Sequence, residues 1–182
     1  MIFHSEILNK NQSDLLPSLG AFASKNGFYL GGGTSVALQF GHRMSIDFDW
    51  FTQGPMGDPL ALAEHARQVG LKISNTQIAS GTLHAIINKV RVSFFEYPYV
   101  SIGEPSIWPD SHVTLALRHK PITDLLSLYQ RKYDTTDIAH VLLGLTYFDD
   151  ADAEPSPVMM ENLPWDKIKQ QFLHWAIELA DK

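Results

Sequence analysis

Two aspartates spaced two residues apart are the side chains best suited to chemistry in this sequence. Asp47 and Asp49 lie in the segment Ile46–Phe51, where they alternate with apolar residues. On a β-strand, residues i and i+2 point to the same face, so both carboxylates emerge together. Paired acids repel each other unless a cation lies between them, and Mg²⁺ readily binds carboxylate and triphosphate oxygens together. The spacing predicts a metal site, with a solvated strand edge as the alternative.

A run of glycines precedes this strand. Gly31 to Gly33 follow a short apolar segment and lead into a helical pattern that ends at Gly41, with Thr34 as its predicted N-cap. Glycines without β-carbons let backbone amides approach a ligand closely, and a helix N-terminus favours anions. The alternative is a glycine-rich turn with no ligand. The dinucleotide fingerprint GxGxxG and the lysine-containing P-loop are both absent from the sequence.

The remaining patterns predict the elements that position these residues. Hydrophobic spacing indicates helices over residues 11–26 and 60–69 and a meander of strands over 71–78, 82–87 and 90–97. Residues 98–113 are rich in proline, glycine and serine and are predicted to be irregular, and helical spacing dominates after them. We therefore predict an α+β fold, a mixed β-sheet with flanking helices followed by a helical C-terminal part. The predicted division is a core at 1–100 and a helical region at 101–182, packed on the core or forming one compact unit with it.

Composition limits the cellular setting. The chain has 182 residues, a formal net charge of −6 and no cysteine, which excludes disulfides and thiolate metal sites. Its N-terminus lacks the pattern of a secretion signal, and no apolar run approaches the roughly 20 residues that span a bilayer. The acidic balance argues against a general polyanion binder but leaves a local basic patch open. We expect a cytoplasmic protein with no membrane partner.

The combination of apolar strand, Gly-Gly turn, short helix and Asp-x-Asp strand resembles the DNA polymerase β-like nucleotidyltransferase superfamily. Residues 28–49, FYLGGGTSVALQFGHRMSIDFD, more specifically resemble the AbiEii/AbiGii toxin family, whose pattern is close to YLxGGTALAL, a small gap, then HRxSxDFD. Residues 4–8, 92–99 and 145–151 also look similar to that family, so most of the chain is covered.

The resemblance implies a toxin of a toxin–antitoxin or phage-defence system, which transfers a nucleotidyl group from an NTP to RNA, often tRNA. It implies NTP as substrate, Mg²⁺ or Mn²⁺ as cofactor, and a cognate antitoxin as partner. The residues that it assigns are Gly32, Gly33 and Thr34 for the nucleotide, Asp47 and Asp49 for metal and catalysis, and His42 and Arg43 at the rim. For the last two, ordinary loop polarity is the alternative.

The superfamily has a third carboxylate on a neighbouring strand. Glu96 is the candidate here, as the general base that activates the attacking hydroxyl. Ser93 stands where an acid could equally be expected, and a surface glutamate at the strand's end is the alternative for Glu96.

The chain departs from the family after the strand that holds Glu96. Relatives continue with a lysine-bearing helix and a further acid that belong to their active site, whereas residues 120–133 here best match the helix that follows that module. In a second alignment with the family, Arg118, Lys120 and Asp124 correspond to the lysine-bearing module, and Ser127 replaces its final acid. The intact Asp47 and Asp49 favour a nucleotidyltransferase as the leading hypothesis. The missing module favours the second, a non-catalytic nucleotide- or partner-binding relative. A small-molecule acceptor is a third.

Overall fold

The computed structural model describes residues 3–99, 106–108, 112–113 and 121–181. The chain divides into two compact units, Met1–Ala116 and Leu117–Lys182. The elements of the first unit are, in order, a 3₁₀ turn Ser5–Ile7, α1 (Lys10–Lys25), β1 (Tyr29–Leu30), α2 (Gly32–Phe40), β2 (Asp47–Thr52), α3 (Pro59–Gln68), β3 (Ile73–Ala79), β4 (Thr82–Ile87), β5 (Val90–Glu96), β6 (Ser106–Ile107) and β7 (His112–Val113).

The strands form one mixed sheet in the order β3-β4-β5-β2-β1-β7-β6. Strands β3, β4 and β5 are antiparallel neighbours, which confirms the predicted meander. Strand β5 then pairs in parallel with β2, and β2 pairs antiparallel with β1. The order places β2, which carries both aspartates, between the meander and the strand that enters the glycine turn. The α+β class and the mixed sheet are as predicted.

One face of this sheet forms the core of the first unit, and we call it the closed face. Phe48 and Trp50 of β2 are fully buried there, beside Val92 and Phe94 of β5. Helices α1 and α3 supply apolar residues to the same buried cluster. The alternate residues of β2 and β5 lie on the other face, which we call the open face, and are half-buried or exposed. Strong alternation on two adjacent strands therefore separates a fully buried face from a partly exposed one.

Two local features differ from the sequence prediction. Within the segment 98–113, predicted as irregular, β6 and β7 pair with each other and β7 joins β1, so the sheet extends past residue 100. Each of these strands has two residues, which is too short for a period-two pattern to reveal. Helix α2 begins at Gly32 with Gly31 as its N-cap, so the prediction that Thr34 caps it was wrong.

The second unit is helical, as expected for the C-terminal part. Within it, α5 (Ala139–Thr146) packs against α7 (Trp165–Ala180), and Lys169 of α7 forms an ion pair with Asp152 at 3.1 Å. Along the described part of the chain, no helix is long and apolar enough to cross a membrane. Its helices are α4 (Ile122–Tyr133), α5 (Ala139–Thr146), α6 (Asp149–Ala153) and α7 (Trp165–Ala180).

Candidate active site

The two aspartates lie on the open face of β2, and both are half-buried. Phe48 lies between them in sequence and points to the closed face, where it is fully buried. The apolar residues therefore anchor the strand while the carboxylates project away from the core. This is the arrangement that the Asp-x-Asp spacing predicted.

The glycine turn brings the N-terminus of α2 directly against Asp49. The Gly31 amide donates a hydrogen bond to the Asp49 carbonyl oxygen at 2.9 Å. Gly32 has φ +61°, a left-handed conformation that side chains disfavour, and a β-carbon there would lie 2.6 Å from Asp49 Oδ2. Glycine is thus required at residue 32 both by its backbone conformation and by the adjacent carboxylate. The first backbone amides of α2 consequently lie next to the aspartates of β2.

Arg43 supplies a positive charge at the same place. Its Nη1 donates to the Met44 carbonyl oxygen at 2.9 Å, which fixes the guanidinium. Its Nη2 lies against Gly33, so close that a β-carbon on that residue would overlap it. His42 is in the same loop and half-buried, with its ring 6.1 Å from that of Phe40. The structure therefore brings Arg43 together with the glycines, and this cation and the helix N-terminus both favour an anion.

Thr34 has a structural position within the site. Its side chain is 1% exposed, and its hydroxyl donates to the Asp47 carbonyl oxygen at 2.6 Å and lies 2.5 Å from Ser45 Oγ. The hydroxyl thus links α2 to the start of β2. Thr34 therefore fixes the spacing between the helix N-terminus and Asp47. Its predicted role in binding the nucleotide stays a prediction.

The electrostatics of the pair follow from burial and like charge. Partial burial raises the pKa of Asp49, and the neighbouring Asp47 carboxylate raises it further. A hydrogen bond from Ser93 and the nearby His84 lower the pKa of Asp49 in part. The ionised form of Asp49 is therefore disfavoured in the free protein, and a bound cation would relieve that cost.

Glu96 is not brought to the aspartates. In the parallel register of β2 and β5, Asp49 faces Ser93, whereas Glu96 faces Thr52 at the other end of the strand. Since Glu96 is three residues from Ser93, it lies on the opposite face of the sheet, and its Oε2 accepts a hydrogen bond from the Met56 amide at 3.0 Å. Its predicted role as third carboxylate therefore has no support in its position.

Two residues that the sequence analysis did not assign occupy the neighbourhood instead. Ser93 of β5 is in register with Asp49, and His84 of β4 is in register with Ser93. Ser93 alone carried a signal in the sequence, as the position where an acid was expected. The pairing of His84 with Ser93 depends on the register of β4 and β5, which no local pattern specifies.

The donor set fits a divalent cation that is shared with a triphosphate. Asp47 and Asp49 provide hard oxygen ligands on one face, which suit Mg²⁺ or Mn²⁺. Over the described ranges, no cluster of three or more His, Asp or Glu side chains could hold a metal by itself. A cation here would therefore be completed by water and nucleotide oxygens, as is usual for Mg²⁺.

The second alignment of the helical region with the family's lysine-bearing module uses four residues, and the structure describes two of them. Asp124 lies in the first turn of α4, in the second unit, and Ser127 lies in the same helix. Arg118 and Lys120 are outside the described residues.

Comparison with known proteins agrees with this geometry. Residues 14–107 match the family model described as "Nucleotidyl transferase AbiEii toxin, Type IV TA system". An uncharacterized protein from Aquifex aeolicus is 26% identical over 200 aligned residues, which cover 91% of this chain and 94% of that protein. A solved structure from H. pylori, provisionally assigned as a nucleotidyltransferase, superposes with a TM-score of 0.51 at 11% identity and covers 94% of both chains. That likeness shows a shared fold. A tRNA-processing enzyme superposes with a TM-score of 0.46 at 19% identity, covering 94% of this chain and 48% of that one, which is too weak to inform the substrate.

Proposed function

Since this chain belongs to the AbiEii nucleotidyltransferase toxin family, we propose that it transfers a nucleotidyl group from an NTP to an RNA acceptor with the help of a divalent metal ion. The observation that carries this proposal is the contact between the helix N-terminus and the aspartates. Gly32 lies against the Asp49 carboxylate, and Arg43 lies against Gly33. Groups that favour phosphate and groups that favour a metal ion are thus adjacent, as transfer from an NTP needs.

Each group has a distinct task in this proposal. The amides at Gly32 and Gly33 and the Arg43 guanidinium bind the triphosphate oxygens. Asp47 and Asp49 would hold Mg²⁺ or Mn²⁺, which would neutralise charge at the phosphates. Thr34 keeps the helix N-terminus at a fixed distance from Asp47 through its hydrogen bond to the Asp47 carbonyl oxygen. Positioning and electrostatics account for most of the rate in such a site.

Three exposed cations near the starts of β3 and β5 support RNA as the acceptor. Arg91 of β5 is in register with Asp47 and is exposed. Lys72 and Lys89, also exposed, line a groove of ≈ 430 Å³ that Asp14 of α1 lines as well. Within the described residues these three cations form no ion pair, so they are available to phosphodiester groups even though the chain's net charge is −6.

Transfer is tested by incubating the protein with Mg²⁺ or Mn²⁺, each α-³²P-labelled NTP in turn, and total cellular RNA. We expect slow labelling of RNA that falls at least about 10³-fold in Asp49→Ala, because the metal and the electrostatic stabilisation it provides are lost. The Glu96→Ala variant is the matched carboxylate control and should label RNA at nearly the wild-type rate, since Glu96 lies on the opposite face. Equal labelling by wild type and Asp49→Ala would exclude the proposal.

A non-catalytic nucleotide-binding module is the second candidate, and Ser93 favours it. Ser93 lies opposite Asp49, where a third carboxylate would lie on the neighbouring strand, and serine is a poor base. This candidate predicts that the protein binds NTP with metal yet labels no acceptor with any of the four NTPs. Calorimetry of NTP binding beside the labelling assay separates the two candidates.

We further propose that the activity serves as the toxin of a toxin–antitoxin pair in the cytoplasm. The family description supports this role. Induced expression should arrest growth, and Asp49→Ala expressed to the same level should not. Co-expression of a neighbouring antitoxin gene should relieve the arrest. Growth that continues under wild-type expression, with active soluble protein in the cells, would contradict the toxin role and leave the transfer reaction intact.

A further inference from the structure

Three buried polar side chains meet at the backbone of Asp47, and the proposed function uses only one of them. Gln12 of α1, Thr34 of α2 and Ser45 of the loop before β2 are each at most 1% exposed. Gln12 Nε2 and the Thr34 hydroxyl both donate to the Asp47 carbonyl oxygen, at 3.4 Å and 2.6 Å respectively. Ser45 Oγ lies 2.5 Å from the Thr34 hydroxyl oxygen. We call these three side chains the Asp47 anchor.

The available protons fix which group of the anchor donates in each contact. Thr34 has a single hydroxyl proton, which it donates to the Asp47 carbonyl oxygen. Ser45 must then donate its own proton to Thr34 Oγ1, which accepts through a lone pair. A carbonyl oxygen has two lone pairs, so that of Asp47 can accept from both Thr34 and Gln12. The contacts of the anchor are therefore matched, donor to acceptor.

Gln12 is itself held in place by the start of α1. Its Oε1 accepts from the Asn9 amide at 3.1 Å, and its own amide donates to Asn9 Oδ1 at 3.1 Å, which together form a capping box. The capping box occupies Oε1 and leaves Nε2 to donate to Asp47. The start of β2 is consequently tied to α1 as well as to α2.

The backbone of Asp47 needs such contacts because it begins the strand. Asp47 is the first residue of β2, and residues 44–46 before it belong to no helix or strand. Asp49 lies inside the strand, where the Gly31 amide donates to its carbonyl oxygen at 2.9 Å. The direction of a carboxylate follows from the backbone that carries it, and hydrogen-bonded residues behind a metal ligand orient that ligand.

We propose that Gln12 and Ser45 are positioning residues of the metal site, acting with Thr34. The anchor fixes the Asp47 backbone so that its carboxylate lies beside that of Asp49, where both can bind one divalent ion. The inference rests on the proposed function, in which these aspartates hold the metal ion. Gln12 and Ser45 are buried, so they act only through the Asp47 carbonyl oxygen. Loss of any one anchor contact should therefore weaken metal binding.

Metal binding is tested in the nucleotide-free protein by titration with Mn²⁺, with the unbound ion measured by electron paramagnetic resonance. We expect the dissociation constant for Mn²⁺ to rise about 10- to 100-fold in Thr34→Val, Gln12→Met and Ser45→Ala. Each of these changes removes a hydrogen bond with little change in side-chain volume. Thr34→Ser keeps the hydroxyl and should bind Mn²⁺ within about twofold of wild type. Circular dichroism and urea denaturation identify the temperature at which every variant is folded.

Two controls separate positioning from a general loss of stability. Gln39 of α2 is 9% exposed and donates to the Ser35 carbonyl oxygen at 3.0 Å, so Gln39→Met matches Gln12→Met. Thr52, 6% exposed, ends β2, and Thr52→Val matches Thr34→Val. Both controls remove a buried polar group and should bind Mn²⁺ like wild type. If they weaken Mn²⁺ binding as much as the anchor variants do, the anchor only stabilises the fold and the inference is overturned.

The transfer assay gives a second measurement of the same effect. In Thr34→Val and Ser45→Ala, the Mg²⁺ concentration that gives half the maximal rate should rise about tenfold or more. The KM for NTP at saturating Mg²⁺ should change less than about threefold, because the amides of the glycine turn and Arg43 are retained. A rise in the KM for NTP with no change in the Mg²⁺ requirement would contradict the inference.

The inference and the proposed function fail in different ways. If wild type binds Mn²⁺, Asp47→Asn binds it weakly and the anchor variants bind it as wild type does, the positioning role is overturned and the metal site stands. If wild type binds no Mn²⁺ with or without NTP, or Asp47→Asn binds it equally well, the metal site itself is overturned, and the positioning role with it.

Discussion

The two faces of the paired strands β2 and β5 differ in burial and in the side chains they carry, although alternate residues of the same short segments build them. The closed face carries Phe48, Trp50 and Phe94, each at most 1% exposed. The open face carries Asp49 and Ser93, half-buried and hydrogen-bonded to each other. Residues adjacent in sequence therefore have different roles: those on the closed face pack the core, and those on the open face form the candidate site.

The difference between the two faces explains how the site tolerates the repulsion between its two carboxylates. A like-charged, partly buried carboxylate pair destabilises the strand that carries it. Phe48, between the two acids, and Trp50, after them, are fully buried and hold that strand in place. Substitutions on the closed face should therefore change stability, and substitutions on the open face should change binding and catalysis. Each of the following predictions tests that separation.

The largest effect on stability is expected from Phe94→Ala. Phe94 is 1% exposed and contacts the rings of Phe22 and Phe28, so its removal leaves a cavity and should cost about 3–5 kcal/mol. The adjacent Phe95→Ala is the matched control, because Phe95 is half-buried on the open face, and it should cost about half as much or less. Urea denaturation measures both. Equal losses would mean that the two faces do not differ as described.

A smaller effect, on binding, is expected from Gly33→Ala. The new β-carbon displaces the Arg43 guanidinium, the end of a flexible side chain, so the affinity for NTP should fall about tenfold through loss of a charge-assisted hydrogen bond. Stability should stay constant or rise by up to about 1 kcal/mol, since alanine is the better helix former. Gly144→Ala in α5, where a β-carbon meets nothing within 4 Å, is the control and should leave binding unchanged. Unfolding of the Gly33 variant would instead indicate a purely structural turn.

The smallest effect is expected from Asp49→Asn in the metal-free protein. The pKa of Asp49 is raised by burial and by Asp47, so its ionised form opposes folding at neutral pH, and the variant should be more stable there by up to about 1 kcal/mol. As the pH falls through that raised pKa, wild-type Asp49 becomes protonated in the folded state and the difference should shrink. Thermal denaturation of both proteins between pH 7 and pH 4 measures it. Added Mg²⁺ and NTP at pH 7 should reverse the order, because only the wild type gains strong binding.

Much of this protein could be predicted from its sequence because the relevant signals are local. The alternation around Asp47 and Asp49 specified a strand with both acids on one face, and the glycine run specified a turn into a helix. The motif from residue 28 to residue 49 identified the family. Period-two and period-3.6 patterns report which face of an element is buried, and glycines report where the backbone turns, without reference to any distant residue.

The helix start and the third site position depended on contacts that no local pattern contains. The sequence predicted Thr34 as the N-cap of α2. Its hydroxyl instead donates a hydrogen bond to the carbonyl oxygen of Asp47, thirteen residues away, and Gly31 is the N-cap. Glu96 was predicted as the third acid because it lies on β5, the strand beside β2. It is three residues from Ser93, the residue in register with Asp49, and so lies on the opposite face of the sheet.

What the sequence determined by itself was the pair of aspartates and the glycines that approach them. What only the tertiary structure decided was their neighbours. Ser93 and His84 reach Asp49 through the parallel pairing of β5 with β2 and the antiparallel pairing of β4 with β5. The physical reason is that strand register is set by the joint burial of one face across the sheet, and a shift of one residue would move every side chain of a strand to the other face.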